Sequence, residues 1–438
     1  MKQLGKISSL LILIVGFSYY SFAEKAPGSG KKSGKSLTAG YPMPSAFTFL
    51  DLNNVRARIN TGGDMWWDLA GEASYEVPKG SHKHALFAGA IWVGGVDVNG
   101  QLRLAAQKHR QGPDIIDGCC TDYWPGPLIT SGEGIASVSP EVCVQYDKHF
   151  KVNRNDVATF RAWYRADAET KANDFPNYSI PSSITNYPAH GDATAGYDYY
   201  LAPFYDNNGD GTYNPNDGDY PYYDLDGTRP CNTRPERRAE NLDNQTSVLY
   251  GDETLWWVYN DKGNIHSETE GGAAIGMEFR AQAFAFSTND ELNNMTFYNY
   301  QIINRSTFEL QSTYFGVWTD ADMGNAWDDY VGCDVNRGLG FLYNGDEVDG
   351  SGQIDEYGAQ PPAIGIDFFE GPYQDEDGKD NTSNWDNTGT LDCNNGYRYN
   401  YETETWERVG PGDIFNGNIN GLNFGDSIVD NERWGMRR

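Results

Sequence analysis

Aspartate, asparagine and glycine recur at a regular spacing in the stretch YDNNGDGTYNPNDGDYPYYDLDG, which runs from Tyr205 to Gly227. Oxygen-bearing side chains stand at alternate positions before a glycine, and an acid follows at the twelfth position of the motif, as in calcium-binding loops. The glycine permits the sharp turn that lets alternate residues converge on one hard cation. The predicted calcium ligands are Asp206, Asn208, Asp210, the Thr212 carbonyl, Asn214 and Asp217.

The motif departs from the helix-loop-helix calcium switch in two ways. Its last position holds Asp217 in place of the longer glutamate, and no flanking helix is predicted because GDYP follows directly. We therefore predict a structural loop of the dockerin or thrombospondin-repeat type. The alternative is a solvated turn without an ion. On either interpretation, the stretch contains no segment that is expected to bury a core.

A second group of acids follows a predicted strand in TDADMGNAWDDYVGCD, from Thr319 to Asp334. Two aspartates stand at alternate positions after the strand and two more return close by, so four carboxylates could converge at one strand end. The predicted ligands of this weaker second cation site are Asp320, Asp322, Asp328 and Asp329. The acidic stretches YYDLDG, NGDEVDGSGQIDE and PYQDEDGKDN are as typical of solvated turns as of ligand loops.

No arrangement of residues identifies a catalytic site. The 62 acids make carboxylate pairs at any spacing a matter of chance, and the six histidines form no HExxH motif. No GxSxG motif is present. His82 and His84 are predicted at an exposed strand start, and His190 and His266 are predicted to be hydrogen-bonded structural histidines. We nominate no catalytic residue, and the sequence favours a non-enzymatic role without deciding the question.

The formal net charge of −29 argues against nucleic acid and anionic membranes as partners. The acids are bunched, whereas solvation in high salt would favour an even spread. Clustered acids need a counter-ion in order to fold, and calcium is the abundant extracellular one. Calcium is therefore the predicted cofactor.

The N-terminus has the features of a secretory signal peptide. Lys2 and Lys6 precede the apolar run LLILIVGF, and Ser21-Phe22-Ala23 forms a small-residue cleavage site before Glu24. No later run approaches the ~20 apolar residues of a transmembrane helix. The six cysteines of an exported chain permit up to three disulfides in fifteen pairings, with buried free thiols as the alternative.

Alternating apolar residues predict a mainly β chain with an antiparallel β-sandwich-like core, long irregular acidic calcium-binding loops and little helix. LFAGAIWVGGVDVNGQLRLAAQ predicts a hairpin whose tight turn takes its positive φ angles from Asn99-Gly100. VATFRAWYRADAETKAN predicts a helix. GMEFRAQAFAFS, MTFYNYQIIN and STYFGVWTD predict three successive strands of a meander.

These elements divide the chain into six segments. They are a signal peptide (1–23), a flexible Gly/Ser/Lys leader (24–41), a first β region (42–173), an irregular insert with the calcium-type loop (174–240), a second β region (241–343) and an acidic Gly/Asp/Asn-rich region (344–438) that looks incomplete at its C-terminal end. The two β regions either form separate domains or pack together as one.

Two pairs of adjacent tryptophans, Trp66-Trp67 and Trp256-Trp257, lie in predicted strands, where neighbours face opposite sides. An outward tryptophan could stack on a sugar ring, whereas packing inside the protein is the more common role. Burial of all four is the favoured prediction.

Several stretches resemble the N-terminal part of large exported proteins of Gram-negative bacteria that use the type IX secretion system. The resemblance is carried by NNVRARINTGGDMWWD, YEVPKGS, ALFAGAIWVGGVDVNGQLRLAAQ, YWPGPL, PAHGD, YLAPFYDNNGDGTYNPNDGDYP, LNNMTFYNYQIINRS, GVWTDADMGNAWDDYVGCD and YNGDEVDG, over roughly residues 45–438. It implies an extracellular or surface-attached protein that meets the secretion machinery. The C-terminal sorting domain of that group is absent, and if the chain really ends at Arg438 a periplasmic location is expected instead.

Three functional hypotheses follow. The first is a secreted, calcium-stabilised, non-enzymatic surface or extracellular protein with an adhesion, matrix or interaction role. The second is a secreted hydrolase or glycan-binding module with structural calcium. The third is a scaffold domain that awaits C-terminal parts. An extracellular glycan or a surface protein is the expected partner.

Overall fold

The computed structural model describes residues 40–115, 119–223, 249–270, 272–307, 309–369, 397–400 and 405–408. The predicted signal peptide, nearly all of the leader, the acidic stretch PYQDEDGKDN, Cys231 and Cys393 lie outside these residues. In the described part, no helix is long and apolar enough to cross a membrane.

Two antiparallel sheets form the centre of the fold. The larger has eight strands, which are β1 (Phe47–Leu50), β2 (Arg56–Asn60), β3 (Asp64–Met65), β4 (Tyr75–Glu76), β5 (His84–Leu86), β6 (Ala88–Asp97), β7 (Leu102–Ala105) and β15 (Leu310–Asp320). The smaller has five strands, which are β8 (Trp124–Pro125), β9 (Phe150–Asn153), β12 (Glu253–Asn260), β13 (Met277–Ala285) and β14 (Phe297–Asn304).

Smaller elements surround these sheets. One is a three-stranded sheet of β16 (Asp329–Asp334), β17 (Leu339–Asn344) and β20 (Ala363–Asp367). The others are three strand pairs, which are β10 (Phe204–Tyr205) with β11 (Tyr220–Pro221), β18 (Val348–Asp349) with β19 (Gly358–Ala359), and β21 (Tyr397–Asn400) with β22 (Thr405–Arg408). The helices are α1 (Pro140–Tyr146), α2 (Arg154–Arg165), α3 (Ala168–Asp174) and α4 (Ser182–Thr185). The mainly β, sandwich-like fold with few helices is thereby confirmed.

Strand β12 is buried on both faces because successive side chains of a strand point to opposite sides. Leu255, Trp257 and Tyr259 enter a core that is shared with β2, β6 and β13 of the two sheets. Trp256 and Val258 enter a second core, formed with the helices and the irregular insert. The five-stranded sheet is therefore a central layer, with the eight-stranded sheet on one side and the insert on the other.

The expected meander is wrong in its last strand. Strands β12, β13 and β14 pair consecutively, but β15 leaves this sheet and pairs with β6 of the other. This crossing could not be predicted from the apolar pattern, because β14 and β15 have similar apolar alternation. Strand β15 of the second β region thus pairs with β6 of the first, so both β regions contribute to one sandwich.

The predicted hairpin and helix are both present, with changes at their turns. In the hairpin of β6 and β7, Gly100 has a φ of +77°, while Asn99 is not among the residues with positive φ. The Asp97 carboxylate instead accepts the amides of Asn99 and Gln101 at 2.9 and 3.0 Å, which closes a longer turn. The expected helix is divided into α2 and α3 because Asp167 starts a new helix by capping Thr170 at 2.8 Å.

Candidate metal centre

Aromatic residues on both sides of the Asp206 loop anchor it to the second core. Strands β10 and β11 bracket the loop, and Phe204, Tyr205, Tyr220 and Tyr222 are almost fully buried. The expectation that this stretch contributes nothing to a core is therefore wrong. Tyrosine has a large apolar ring that can be buried. Because these tyrosines stand among many acidic residues, the sequence did not indicate that they contribute to a core.

Asp206 lies at the base of the loop with no exposed surface. Its two carboxylate oxygens accept the backbone amides of Gly209 and Gly211, each at 2.7 Å. Both glycines have positive φ, +76° and +78°, so the local backbone favours glycine at these two positions. The glycine spacing of the motif thus folds the loop back over the Asp206 carboxylate.

The other predicted ligands lie on the exposed side of the same loop. The Asn208 side-chain oxygen accepts the Asp210 amide at 3.0 Å, and the Asp210 carboxylate accepts the Thr212 amide at 2.7 Å. Asn214 donates its side-chain amide to the Asp217 carboxylate at 2.5 Å. These residues are brought together within one loop.

Asp219 is the buried carboxylate that the motif did not include. It has no exposed surface, and it accepts the amides of Asn207 and Asn214, each at 2.8 Å. Burial, together with the charges of Asp206 and Asp210, raises the pKa of Asp219 to about 6. Asp206 and Asp219 are therefore both buried at the base of the loop, whereas Asp217, the predicted ligand, is half-buried. In the sequence, only its place in the GDYP turn distinguishes Asp219 from Asp217, and this place does not show which of the two acids points inward.

No Lys or Arg in the described part of the chain forms an ion pair with Asp206, Asp210 or Asp219. Each carboxylate oxygen that accepts one amide retains a second lone pair for a cation. The donor set of carboxylate, amide and carbonyl oxygens suits calcium. The residues present therefore fit this ion.

Two residues, His190 of the insert and Tyr164 of α2, hold the loop in place. His190 accepts the Tyr213 amide through Nε2 at 2.7 Å, and its Nδ1 lies 3.1 Å from the Tyr199 carbonyl oxygen. The Tyr164 hydroxyl of α2 donates to the Asp217 carbonyl at 2.9 Å. The prediction of a structural, hydrogen-bonded His190 is confirmed, and the role of this histidine is to support the loop.

The four aspartates of the second predicted site lie at the end of β15, in the connection after it and at the start of β16. Asp320, the last residue of β15, lies 2.7 Å from Nε2 of His109 through its carboxylate. Asp322 lies in the connection that follows β15. Asp328 and Asp329 lie at the start of β16, beside the buried Asp349 of β18. Burial, with the charges of Asp328 and Asp349, raises the pKa of Asp329 to about 6.

His266 is also a structural histidine, as predicted. Its Nδ1 and Nε2 lie 2.8 and 2.7 Å from the carbonyl oxygens of Leu104 and Asp261. Both ring nitrogens thus lie at hydrogen-bond distance from a carbonyl oxygen. The fully buried carboxylates of Asp122 and Asp261 lie 3.6 and 4.0 Å away from the ring.

The adjacent tryptophans are all buried, with 2 to 4% of their surface exposed, so the packing interpretation is confirmed for Trp66, Trp67, Trp256 and Trp257. The cysteines in the described residues form one disulfide, between the neighbours Cys119 and Cys120. Cys143 is buried and Cys333 exposed, and both are free thiols.

Within the residues that the structure describes, no three His, Cys, Asp or Glu side chains are grouped closely enough to be identified as a metal site by themselves. A cation in either acidic region would therefore need amide, carbonyl or water oxygens as well. No protein-family model matches the chain, and no curated protein or solved structure is significantly similar to it.

Proposed function

We propose that this chain is a secreted, calcium-stabilised, non-enzymatic protein of the cell surface or extracellular space, with an adhesion, matrix or interaction role. The observation that carries the proposal is the burial of Asp206 and Asp219 in one loop without a basic partner among the described residues. A buried carboxylate is costly unless it is paired or neutralised. A calcium ion supplies that charge in an extracellular setting.

The proposed ligand set combines the sequence motif with the geometry of the loop. Its oxygen donors are Asp206, Asn208, Asp210, the Thr212 carbonyl, Asn214 and Asp219, with Asp217 in support. Calcium bound there would hold β10 and β11 against α2 and the central sheet, since their tyrosines are part of the second core. The ion would therefore stabilise the insert and not activate a substrate.

Export is proposed on the signal-peptide features and on the resemblance to proteins of the type IX secretion system. Intact-mass measurement of the chain produced in a Gram-negative host is expected to show cleavage before Glu24. Fractionation of hosts with and without that secretion system would then test the route across the outer membrane. Retention of the uncleaved chain in the cytoplasm would contradict export.

A melting experiment tests the calcium part of the proposal. At calcium a hundred times above its dissociation constant, binding to the folded state alone contributes about 2.7 kcal/mol. Because the entropy of unfolding of a chain this long is roughly 0.9 kcal/mol/K at its melting point, excess EDTA is then expected to lower the melting temperature of the full chain by about 3 °C. An unchanged melting curve would contradict the proposal.

Two variants make the test specific to the loop. Asp219→Asn removes one buried charge and is expected to reduce the calcium-dependent shift, since ligand charge governs affinity. Asp114→Asn removes one charge from an exposed residue and is the matched control, so its shift should equal that of the wild type. Equal shifts in both variants would place the responsible ion elsewhere.

A further inference from the structure

A second group of oxygen atoms lies where β16 and β17 meet, and it differs from the four aspartates expected there. Asp329 opens β16 and is the direct register partner of Asn344, the last residue of β17. Residues that face each other in an antiparallel pair project their side chains from the same face of the sheet. Asp328 directly precedes Asp329 and is held to the turn after Asn344, because its carbonyl accepts the Gly345 amide at 2.6 Å.

The carboxylates of Asp328 and Asp329 each accept one backbone amide through the same oxygen, Oδ2. Oδ2 of Asp328 accepts the Gly350 amide at 3.0 Å, and Oδ2 of Asp329 accepts the Met323 amide at 2.8 Å. The other oxygen of each carboxylate, Oδ1, is buried and has no hydrogen-bond partner among the described residues. Each carboxylate is therefore fixed in orientation by one oxygen and leaves the second one without a donor.

Asn344 adds a neutral oxygen that is also buried and lacks a hydrogen-bond donor among the described residues. The residue is 8% exposed, and its Oδ1 is buried without a hydrogen-bond partner. Its Nδ2 donates to the Asp346 carbonyl at 3.2 Å, which fixes which end of the amide is the oxygen. Leaving a buried acceptor without a partner costs about 1–3 kcal/mol, and more for a charged group. Ionised carboxylates beside it have no proton to donate.

We propose that Asp328, Asp329 and Asn344 bind a divalent cation of the calcium type through their Oδ1 atoms. All three donors are hard oxygens, and water would complete the six to eight ligands that calcium takes. The ion satisfies the three oxygens together and offsets the repulsion between the two carboxylates.

Asp349 supplies further negative charge beside this site and is not included in the proposed ligand set. It is fully buried, and its two oxygens accept the backbone amides of Asn325 and Tyr357. No Lys or Arg of the described residues forms an ion pair with Asp328, Asp329 or Asp349. The site thus has two carboxylate ligands and one amide ligand, which agrees with the lack of a group of three acids noted above.

Asp320 is excluded from this site because His109 holds its carboxylate. The β16–β17 site also shares no residue with the Asp206 loop. Evidence against cation binding at one site therefore does not count against binding at the other.

Terbium luminescence tests the proposal, because Tb³⁺ occupies calcium sites and emits when a nearby tryptophan is excited. Trp327 directly precedes Asp328 and is 76% exposed, so Trp327→Phe removes the donor with little risk to folding. In the full chain, we expect Tb³⁺ emission that Ca²⁺ reduces by displacing Tb³⁺. Trp327→Phe should remove only the part that comes from the β16–β17 site, because the Asp206 loop is expected to bind Tb³⁺ beside the aromatic residues of the second core. The absence of any emission that depends on Trp327 would overturn the proposal.

Ligand variants assign the emission to the site. Asp329→Asn retains an acceptor for the Met323 amide, and Asn344→Leu keeps the size of the side chain, so both variants should fold. Each variant is expected to weaken Tb³⁺ binding about tenfold or more. Glu347→Gln removes one charge from an exposed residue between β17 and β18 and should bind as the wild type does.

The Tb³⁺ affinities of the variants distinguish the two proposed sites. Equal affinity of Asp329→Asn, Asn344→Leu and the wild type would overturn the proposal. Persistence of the Trp327-dependent emission in Asp219→Asn is expected, because that variant affects only the Asp206 loop. If Asp219→Asn alone changes cation binding, the β16–β17 site is refuted while the proposed function stands.

Discussion

His149 makes the folded protein sensitive to mild acid. Its ring packs edge-on against Trp257 with the centroids 5.1 Å apart, and its Nδ1 lies 3.1 Å from the Thr48 hydroxyl. Part of the residue is exposed, but the other ring nitrogen, Nε2, is buried without a hydrogen-bond partner. Burial lowers the pKa of His149 from 6.5 to about 3, and the nearby Asp147 charge only partly opposes this.

The sign of the effect follows from proton uptake. Between the folded pKa of about 3 and the unfolded pKa of 6.5, the unfolded chain binds more protons at this position than the folded chain. The contribution of His149 to the free energy of unfolding is therefore complete above pH 6.5 and is lost as the pH falls towards 3. With these two pKa values, linkage gives a loss of about 2 kcal/mol between about pH 7 and about pH 5.

The test is urea unfolding followed by tryptophan fluorescence at these two pH values and constant calcium. His149→Phe keeps an aromatic ring against Trp257 and removes the titration, so its free energy of unfolding should fall by about 2 kcal/mol less than that of the wild type. His82→Asn is the matched control, because His82 is exposed and its left-handed backbone suits asparagine. Its pH dependence should equal that of the wild type. Equal losses in His149→Phe and the wild type would refute the reasoning.

Three further predictions concern other buried groups. Arg110→Met leaves the buried Asp64 carboxylate unpaired and should lower the free energy of unfolding in urea by about 3–5 kcal/mol, with recovery when Asp64→Leu is added; no recovery would contradict the pairing. His266→Phe removes the ring nitrogens that contact the Leu104 and Asp261 carbonyls and should cost about 2 kcal/mol in the same assay, whereas a neutral result would show that these contacts are not needed. Alkylation of the unfolded, unreduced chain should spare Cys119, and Cys120→Ser should make Cys119 reactive by mass spectrometry; labelling of Cys119 in the wild type would disprove the bond.

Local sequence signals predicted the elements well where one rule dominated. The alternation in β13 and β14 and the helical spacing in α2 were sufficient, because period alone distinguishes strand from helix. The turn after β6 was placed correctly, but its form was not predicted. That form depends on the Asp97 side chain, which the Asn-Gly rule does not consider.

The candidate site was predictable in part for the same reason. The spacing of Asp206, Asn208 and Asp210 is a local property, and the loop brings these residues together. Asp219 could not be selected from the sequence, because a turn decides which of two neighbouring acids points inward. Asn344 could not be selected either, since it meets Asp329 only through the register of β16 and β17.

The sequence by itself determined the β-rich class, the predicted export signal and the acidic loop motif, because these depend on composition and on residues close in the chain. The tertiary structure decided that β15 crosses to the other sheet, that tyrosines of the insert form a second core, and that Asp219 and Asn344 join the acidic groups. Burial and long-range register control these outcomes, and both depend on which distant surfaces pack together.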